Sequence, residues 1–386
     1  MSDRTRIYLD HAATSWPKSQ SVLHAMLDFA KNCGVAAGRG GYRSAVDAER
    51  IVTGVRKEIA KLIEASQSDT ISFHANGTAA LNAAIHGVVR DGDHVVASAA
   101  EHNSVLRPLD NLSREGRIQL TSVPVGTDGC VNSDAFLRAI QTNTRLAVLT
   151  HASNVTGAIQ PVAEVGKALR DRRTLLLCDA AQSFGAIPVS VQDFHVDLLA
   201  APGHKSSGGP LGTAFLYVAP ELHDEFQPWM MGGTGSQSES LEMPNSMPAK
   251  LEAGNLNVPA LAGWSKALFE LGDMQERMHQ HRRVADILLS GLKAIPNLKC
   301  YSSEGPLPIV SVNCDGLAPT DFAAILDSEF GIEARAGLHC AALIHDCIGT
   351  GNEGTLRLSA SASTSEKDIH YAVEAVAQIV GEMTDS

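Results

Sequence analysis

Ala201-Pro202-Gly203-His204-Lys205-Ser206-Ser207-Gly208-Gly209-Pro210 sets a single lysine among small residues. Upstream, an apolar run ends in Cys178-Asp179-Ala180-Ala181-Gln182. Downstream, Thr213-Ala214-Phe215-Leu216-Tyr217-Val218 reads as a strand. An amine held on a turn between buried strands does little for solubility. The surrounding glycines and serines let a flat or bulky group approach the backbone. A surface-loop lysine with flexible neighbours is the competing reading, and the rest of the chain has to decide between them.

Working outward, Thr70–His74 reads as a strand. It runs through Asn76-Gly77-Thr78 into an alanine-rich helix, Ala79 to Ile85. Strand, glycine turn and helix make an anion-binding arrangement, because the free N–H groups of the helix start face the turn. A plain helix cap at Thr78 is the alternative. Asp93–Ser98 is the next strand and delivers Glu101-His102-Asn103. His102 is either a structural histidine or a flat ring for stacking and proton transfer. Arg145–Thr150 is β-rich and ends in His151-Ala152-Ser153-Asn154. Thr174–Asp179 is nearly continuous hydrophobe, as in a strand buried on both faces. Asp179 closes it, as a helix cap or as a buried carboxylate in need of a positive partner. This alternation predicts an α/β fold, a mostly parallel sheet with helices on both faces and ligands at the strand C-termini. Thr78, His102, Asn154, Asp179 and Lys205 all fall at such positions. That convergence favours Lys205 forming an imine with the aldehyde of pyridoxal phosphate (PLP). Asp179 would keep the pyridine nitrogen protonated, and Gln182 would bond the phenolic oxygen.

Composition bounds the reading. At 386 residues, two domains are expected. The 44% apolar and 19% charged content describes an ordered chain, and the net charge of −12 argues against a nucleic-acid binder. Seven scattered cysteines without paired zinc spacing suggest a reducing, cytoplasmic setting. The opening Met1-Ser2-Asp3-Arg4-Thr5-Arg6 has no apolar stretch behind it, and no run approaches the ~20 residues of a membrane span. The glycine-rich stretch 34–41, with Arg39, is either a ligand loop or a flexible connector.

Six stretches in order resemble one family: Tyr8-Leu9-Asp10-His11-Ala12-Ala13-Thr14, Glu101-His102-Asn103, Ser153-Asn154-Val155-Thr156-Gly157, Asp179-Ala180-Ala181-Gln182, Gly203-His204-Lys205 and Arg335-Ala336-Gly337-Leu338-His339-Cys340-Ala341. They look like a cysteine desulfurase of the class V, fold-type I PLP enzymes, over about Ile7 to Val376. The resemblance implies that Lys205 carries PLP and shuttles protons. His102 would stack on the ring. Gly77, Thr78, His204 and Ser183 would hold the phosphate, and Asn154, Arg357, Arg335 and His11 would line the substrate. It also implies that Cys340 attacks the sulfur of L-cysteine, or of a related amino acid, and becomes a persulfide as L-alanine leaves. That chemistry needs a partly exposed thiol on a mobile loop, with positive charge and flexibility from Arg335, Gly337 and His339. Read without the family, Cys340 is a small core hydrophobe. Seventeen positions separate Cys340 from Arg357, which resembles the group II, short-loop type and implies an accessory sulfur-acceptor protein. His339, Cys340, His345 and Cys347 match no standard zinc spacing, so no metal is expected.

Relatives carry a threonine that reaches across a homodimer to the partner's phosphate. Here Asn255 stands in that motif, and Thr234 is a second candidate. The run 236–250 reads as a loop at the site mouth or dimer interface. The expected organisation is an N-terminal segment 1–20 packing with the small domain, a large PLP-binding domain 21–257, and a smaller α+β domain 258–386 bearing the cysteine loop. Selenocysteine lyase, another class V enzyme such as an aminotransferase or epimerase, and a non-catalytic scaffold are the alternatives.

Overall fold

Residues 6–38, 40–235 and 239–384 are described by a computed structural model. Arg39, and positions 236–238 of the expected mouth loop, lie outside them. The chain opens with β1 (Ile7–Tyr8), α1 (Gln20–Asn32) and α2 (Arg43–Leu62). Alternation then builds the main sheet from β2 (Ile71–His74), α3 (Gly77–Val88), β3 (His94–Ser98), α4 (Asn103–Arg114), β4 (Gln119–Val123), α5 (Ser133–Arg138), β5 (Thr144–Thr150), α6 (Val162–Leu169), β6 (Leu175–Asp179), β7 (Leu198–Pro202) and β8 (Ala214–Val218). The spatial order is β2-β8-β7-β6-β5-β3-β4. Only β8 runs against its neighbours, so β2, β3, β5, β6 and β7 all end at one edge of the sheet.

The central strands are hydrophobic throughout because both faces are covered. Leu176 and Cys178 of β6, with Leu199 and Ala201 of β7, pack in one core; Leu175, Leu177, Leu198 and Ala200 pack in the other. Helices α1, α2, α6 and α7 (Val258–Glu270) contribute to the first core, α3 and α4 to the second.

The second layer comprises α8 (Met274–Lys293), β9 (Leu298–Cys300), β10 (Ile309–Cys314), α9 (Pro319–Phe330), β11 (Ile332–Glu333), β12 (Arg335–Gly337), α10 (Ala342–Ile348), β13 (Thr355–Ser359) and α11 (Glu366–Thr384). Four of these strands form an antiparallel sheet, β12-β13-β10-β9. The N-terminal segment pairs β1 with β11 and buries Leu9 in this smaller core.

The helical pattern from Val258 to Leu289 is broken at Gly272, φ +67°, where Asp273 caps α8 by accepting from the N–H groups of Gln275 and Glu276 at 3.0 and 2.9 Å. The expected division after Asn257 precedes α7, yet Val258, Leu261, Trp264 and Leu268 of α7 pack in the large core. On packing grounds we propose the division at Gly272 instead.

Candidate active site

The common strand edge forms a cleft of about 220 Å³. Thr78, His102, Asn154, Asp179 and Lys205 all line it, as do Gly77, Gln182, His204, Arg335 and Arg357. The first five arrive there because each follows, or ends, a strand terminating at that edge.

At the start of α3, the Asn76 side chain accepts from Ala79 N at 2.9 Å, which caps the helix and opens its N-terminus to the cleft. Thr78 Oγ1 lies 2.7 Å from Ser104 Oγ. Ser104 was not singled out in the sequence, yet it also orients His102: Nδ1 accepts from Ser104 N at 3.0 Å and meets Ser104 Oγ at 2.8 Å. A backbone donor on Nδ1 leaves the proton of the neutral ring on Nε2. Burial, then Lys205 and Arg335, lowers the His102 pKa to about 4, so the ring is uncharged near neutrality.

Asp179 is buried and accepts from Ala181 N at 2.9 Å; desolvation raises its pKa and the Lys205 charge opposes the shift. Desolvation brings the Lys205 ammonium down to about 8, with Asp179 the largest opposing influence. The lysine turn is pinned from behind: His204 O accepts from Ser15 N at 2.9 Å and from Lys18 Nζ at 2.9 Å. Gly203 carries no side chain for a steric reason. A Cβ there would lie 2.3 Å from Thr213 Oγ1 and 2.7 Å from the Trp264 ring.

Arg357 is 1% exposed. Its Nη2 donates to Asp10 Oδ1 at 2.5 Å, its Nη1 to Asn154 O at 2.9 Å, and its Nε is buried without a partner. Sequence spacing gives Asp10 no role, because its partner lies 347 positions away. Gln182 directs Nε2 to Ala12 O at 3.0 Å.

Five expected site residues are absent from this wall. Ser183 is fully buried and donates to Ala180 O at 3.3 Å. His11 packs edge-on to Tyr8 and faces a neighbouring cleft. Asn255 lines a separate cavity with Phe73 and Trp229, and Thr234 is not on the cleft wall either. Cys340 is exposed just beyond Arg335, whose Nη2 lies 3.7 Å from Sγ.

One expectation about the cysteine turn is corrected. His339 supplies no positive charge: it is 3% exposed, bonds Thr355 through Nε2, and desolvation, then Arg357, lowers its pKa to about 2. The turn itself is tied by backbone and side-chain hydrogen bonds. His339 and Cys340 both adopt left-handed backbone, φ 51° and 58°, a conformation that costs energy outside glycine and needs support. Asn103 N donates to Cys340 O at 2.6 Å and Asn154 Nδ2 to His339 O at 2.6 Å. The stretch between Cys340 and Arg357 is largely filled by α10 and a short 3₁₀ turn, Gly351–Glu353.

Known proteins share this architecture. The aminotransferase class-V family model matches residues 7–371. A probable cysteine desulfurase of Methanothermobacter thermautotrophicus is 34% identical, covering 98% of this chain and 96% of its own. A cysteine desulfurase of Escherichia coli is 29% identical over 86% of this chain and 84% of its own. Among solved structures, the apo cysteine desulfurase of Thermococcus onnurineus superposes with a TM-score of 0.89 at 28% identity, covering 98% of this chain and 95% of that one. The Escherichia coli cysteine desulfurase CsdA in its S-sulfonic acid form gives 0.88 at 26%, with the same two coverages. With a conserved architecture from one end to the other and a family match spanning both layers, the chain belongs to the class V aminotransferase family and has its fold-type I architecture.

Proposed function

We propose that this chain is a PLP-dependent cysteine desulfurase, converting L-cysteine to L-alanine and retaining the sulfur on Cys340. The observation that carries the reading is the convergence of Lys205, Asp179, His102 and Arg357 on one cleft, with an exposed thiol beside Arg335.

The residues fit PLP by their donor set. A partly desolvated amine stands near a buried carboxylate, a capped helix N-terminus opens to the same space, and His204 Nδ1 and Arg357 Nε are buried without partners. When bound, PLP supplies an electrophilic aldehyde carbon and an electron-withdrawing ring. Lys205 would join the aldehyde, its amine available because burial disfavours the ammonium. Asp179 would hold the ring nitrogen in its protonated form, and Gln182 would donate to the phenolic oxygen. Gly77 and Thr78, with Ser104 and His204, would take the phosphate at the helix start; Ser183 is turned away from that role.

Arg357 would orient the substrate carboxylate, sharing its guanidinium with Asp10, while Asn154 fixes the turn beside it. Lys205, or the neutral His102 beside it, would move the proton between the substrate's α-carbon and the departing product. Cys340 Sγ, as thiolate, would attack the substrate sulfur. The S–S bond forms as the Cβ–S bond breaks, and the electron pair left on the carbon skeleton takes a proton to give L-alanine. The exposed persulfide would then pass its outer sulfur to an acceptor protein. A homodimer, in which a second copy presents Thr234 or Asn255 to the phosphate, and a cytoplasmic setting belong to the same reading. Among the described residues no helix is long and apolar enough to cross a membrane.

The test is turnover with product analysis. The purified protein should absorb visible light, lose that band with borohydride, and yield alanine and sulfide in equal amounts from L-cysteine in the presence of a thiol reductant. Cys340→Ala should keep the band and lose sulfide release from L-cysteine. Pyruvate in place of alanine, or full sulfide release from the variant, would overturn the assignment.

A further inference from the structure

Behind the lysine turn lies a second cleft of about 340 Å³, walled by the N-terminal segment, α7, α8 and the loops at the end of the small sheet. His11, Lys18, Arg277 and His281 face it, against a single acid, Glu270. His281 is 2% exposed, yet neither of its ring nitrogens has a hydrogen-bonding partner, and His11 Nδ1 is likewise buried and unpartnered. A neutral imidazole always carries one N–H, and a buried donor without an acceptor is costly. Burial, and then Arg277, holds His281 uncharged at neutral pH, so the ring is a donor in need of an acceptor and not itself a cation.

The two cations are fixed in place with donors left over. Arg277 uses Nε on Gly185 O and Nη2 on Ser206 O, at 2.5 and 3.0 Å, out of five N–H groups. Lys18 uses Nζ on Ser15 Oγ and His204 O, at 2.7 and 2.9 Å. Glu270 is engaged by the hydroxyls of Ser19 and Ser21. A metal cation would be repelled by Lys18 and Arg277, and among the described residues no cluster of three His, Cys, Asp or Glu is placed to hold one.

We propose that this second cleft binds a small oxyanion of the sulfate, phosphate or carboxylate class, held by Arg277 and Lys18 with the unpartnered N–H of His281. Ala12 and Gln182 belong to the walls of both clefts, and Arg277 grips the carbonyl next to Lys205. An anion here therefore contacts the scaffold of the lysine turn without entering the catalytic cleft.

The test is calorimetric titration of the PLP-loaded protein with sulfate, phosphate and acetate at constant ionic strength, for the parent, His281→Leu and Arg357→Gln. Saturable binding of at least one anion is expected in the parent and in Arg357→Gln, weakened about tenfold in His281→Leu by loss of a charge-assisted hydrogen bond. The preferred anion separates an inorganic ligand from a carboxylate. Should His281→Leu fail to fold, Lys18→Met serves the same comparison, with the same weakening expected. No saturable binding, binding unchanged in the cleft variant, or binding lost in Arg357→Gln would overturn the proposal, the last by placing the anion in the catalytic cleft.

Discussion

Replacing Asp10 by asparagine tests how the cleft-lining Arg357 is held. Arg357 is 1% exposed, and Asp10 supplies the carboxylate it is paired with, at 2.5 Å. Asparagine keeps the shape and one acceptor but removes the charge, leaving a desolvated guanidinium with neutral partners only. A hydrogen bond to a charged group contributes ~1.5–3 kcal/mol, and the 22% exposure of the Asp10 side chain lets solvent share part of that, giving about 2 kcal/mol. With an unfolding entropy near 2.1 cal/mol/K per residue, 386 residues give about 0.8 kcal/mol per degree, so Tm should fall by about 2–3 °C. Calorimetry at low and high salt is the assay, and the loss should persist in high salt because the pair is shielded from solvent. Asp91→Asn is the control. Its partner Arg117 and Asp91 itself are 47% and 72% exposed, and Tm should hardly move. A fall in Asp10→Asn no larger than in the control would show that the Asp10–Arg357 pair contributes nothing net.

Four other outcomes follow from the same geometry. Gly203→Ala forces a methyl against Thr213 and Trp264, both already hydrogen-bonded, so it should destabilise by ~1–3 kcal/mol and weaken PLP uptake measured by absorbance. Glu252→Ala leaves the buried Arg56 guanidinium without its two-pronged partner and should cost ~3–5 kcal/mol in urea unfolding. Glu101, fully buried beside Ser98 and Thr150, has its pKa raised to about 8, chiefly by desolvation. The folded state then holds a proton that the unfolded state releases above about 4.5, so this group's contribution to stability declines from pH 4.5 to 8; Glu101→Gln should flatten that part of the stability profile, and an unchanged slope would count against it. Ser104→Ala removes the hydroxyl that meets both Thr78 and His102, while keeping the backbone donor to His102, and should lower PLP affinity, read by equilibrium dialysis, more than it lowers Tm.

The layered sheet was legible because β6 buries both faces and reads as nearly continuous hydrophobe, because β5 is β-rich, and because polar residues recur just past the strands. Less was visible where local pattern is weak. β7 is Leu-Leu-Ala-Ala-Pro, a poor strand by composition that is held by neighbours on both sides. β4 is a half-exposed edge strand, and α4 carries Pro108 within it. Helical periodicity runs straight through the α7–α8 break, and only Gly272-Asp273 marks it. In the site, strand ends located Lys205 and Asp179, but no spacing reveals that Asp10 neutralises Arg357 from the far end of the chain. The charge of His339 depends on burial, and burial is a property of the fold, not of the residue type.

The long-range pair of Asp10 and Arg357 also makes the cleft a joint between distant stretches of chain. Leu9 and His11 donate their backbone N–H groups to Glu333 O and Ser359 O, so the segment that carries Asp10 is held beside the strand that carries Arg357. A chain cut after Glu353 would keep Lys205, Asp179 and Cys340 but lose β13 and its arginine. In such a fragment Lys205 and Asp179 remain at the strand edge while Asp10 stands without its counterion. The arginine end of the cleft is therefore complete only where these two distant segments meet.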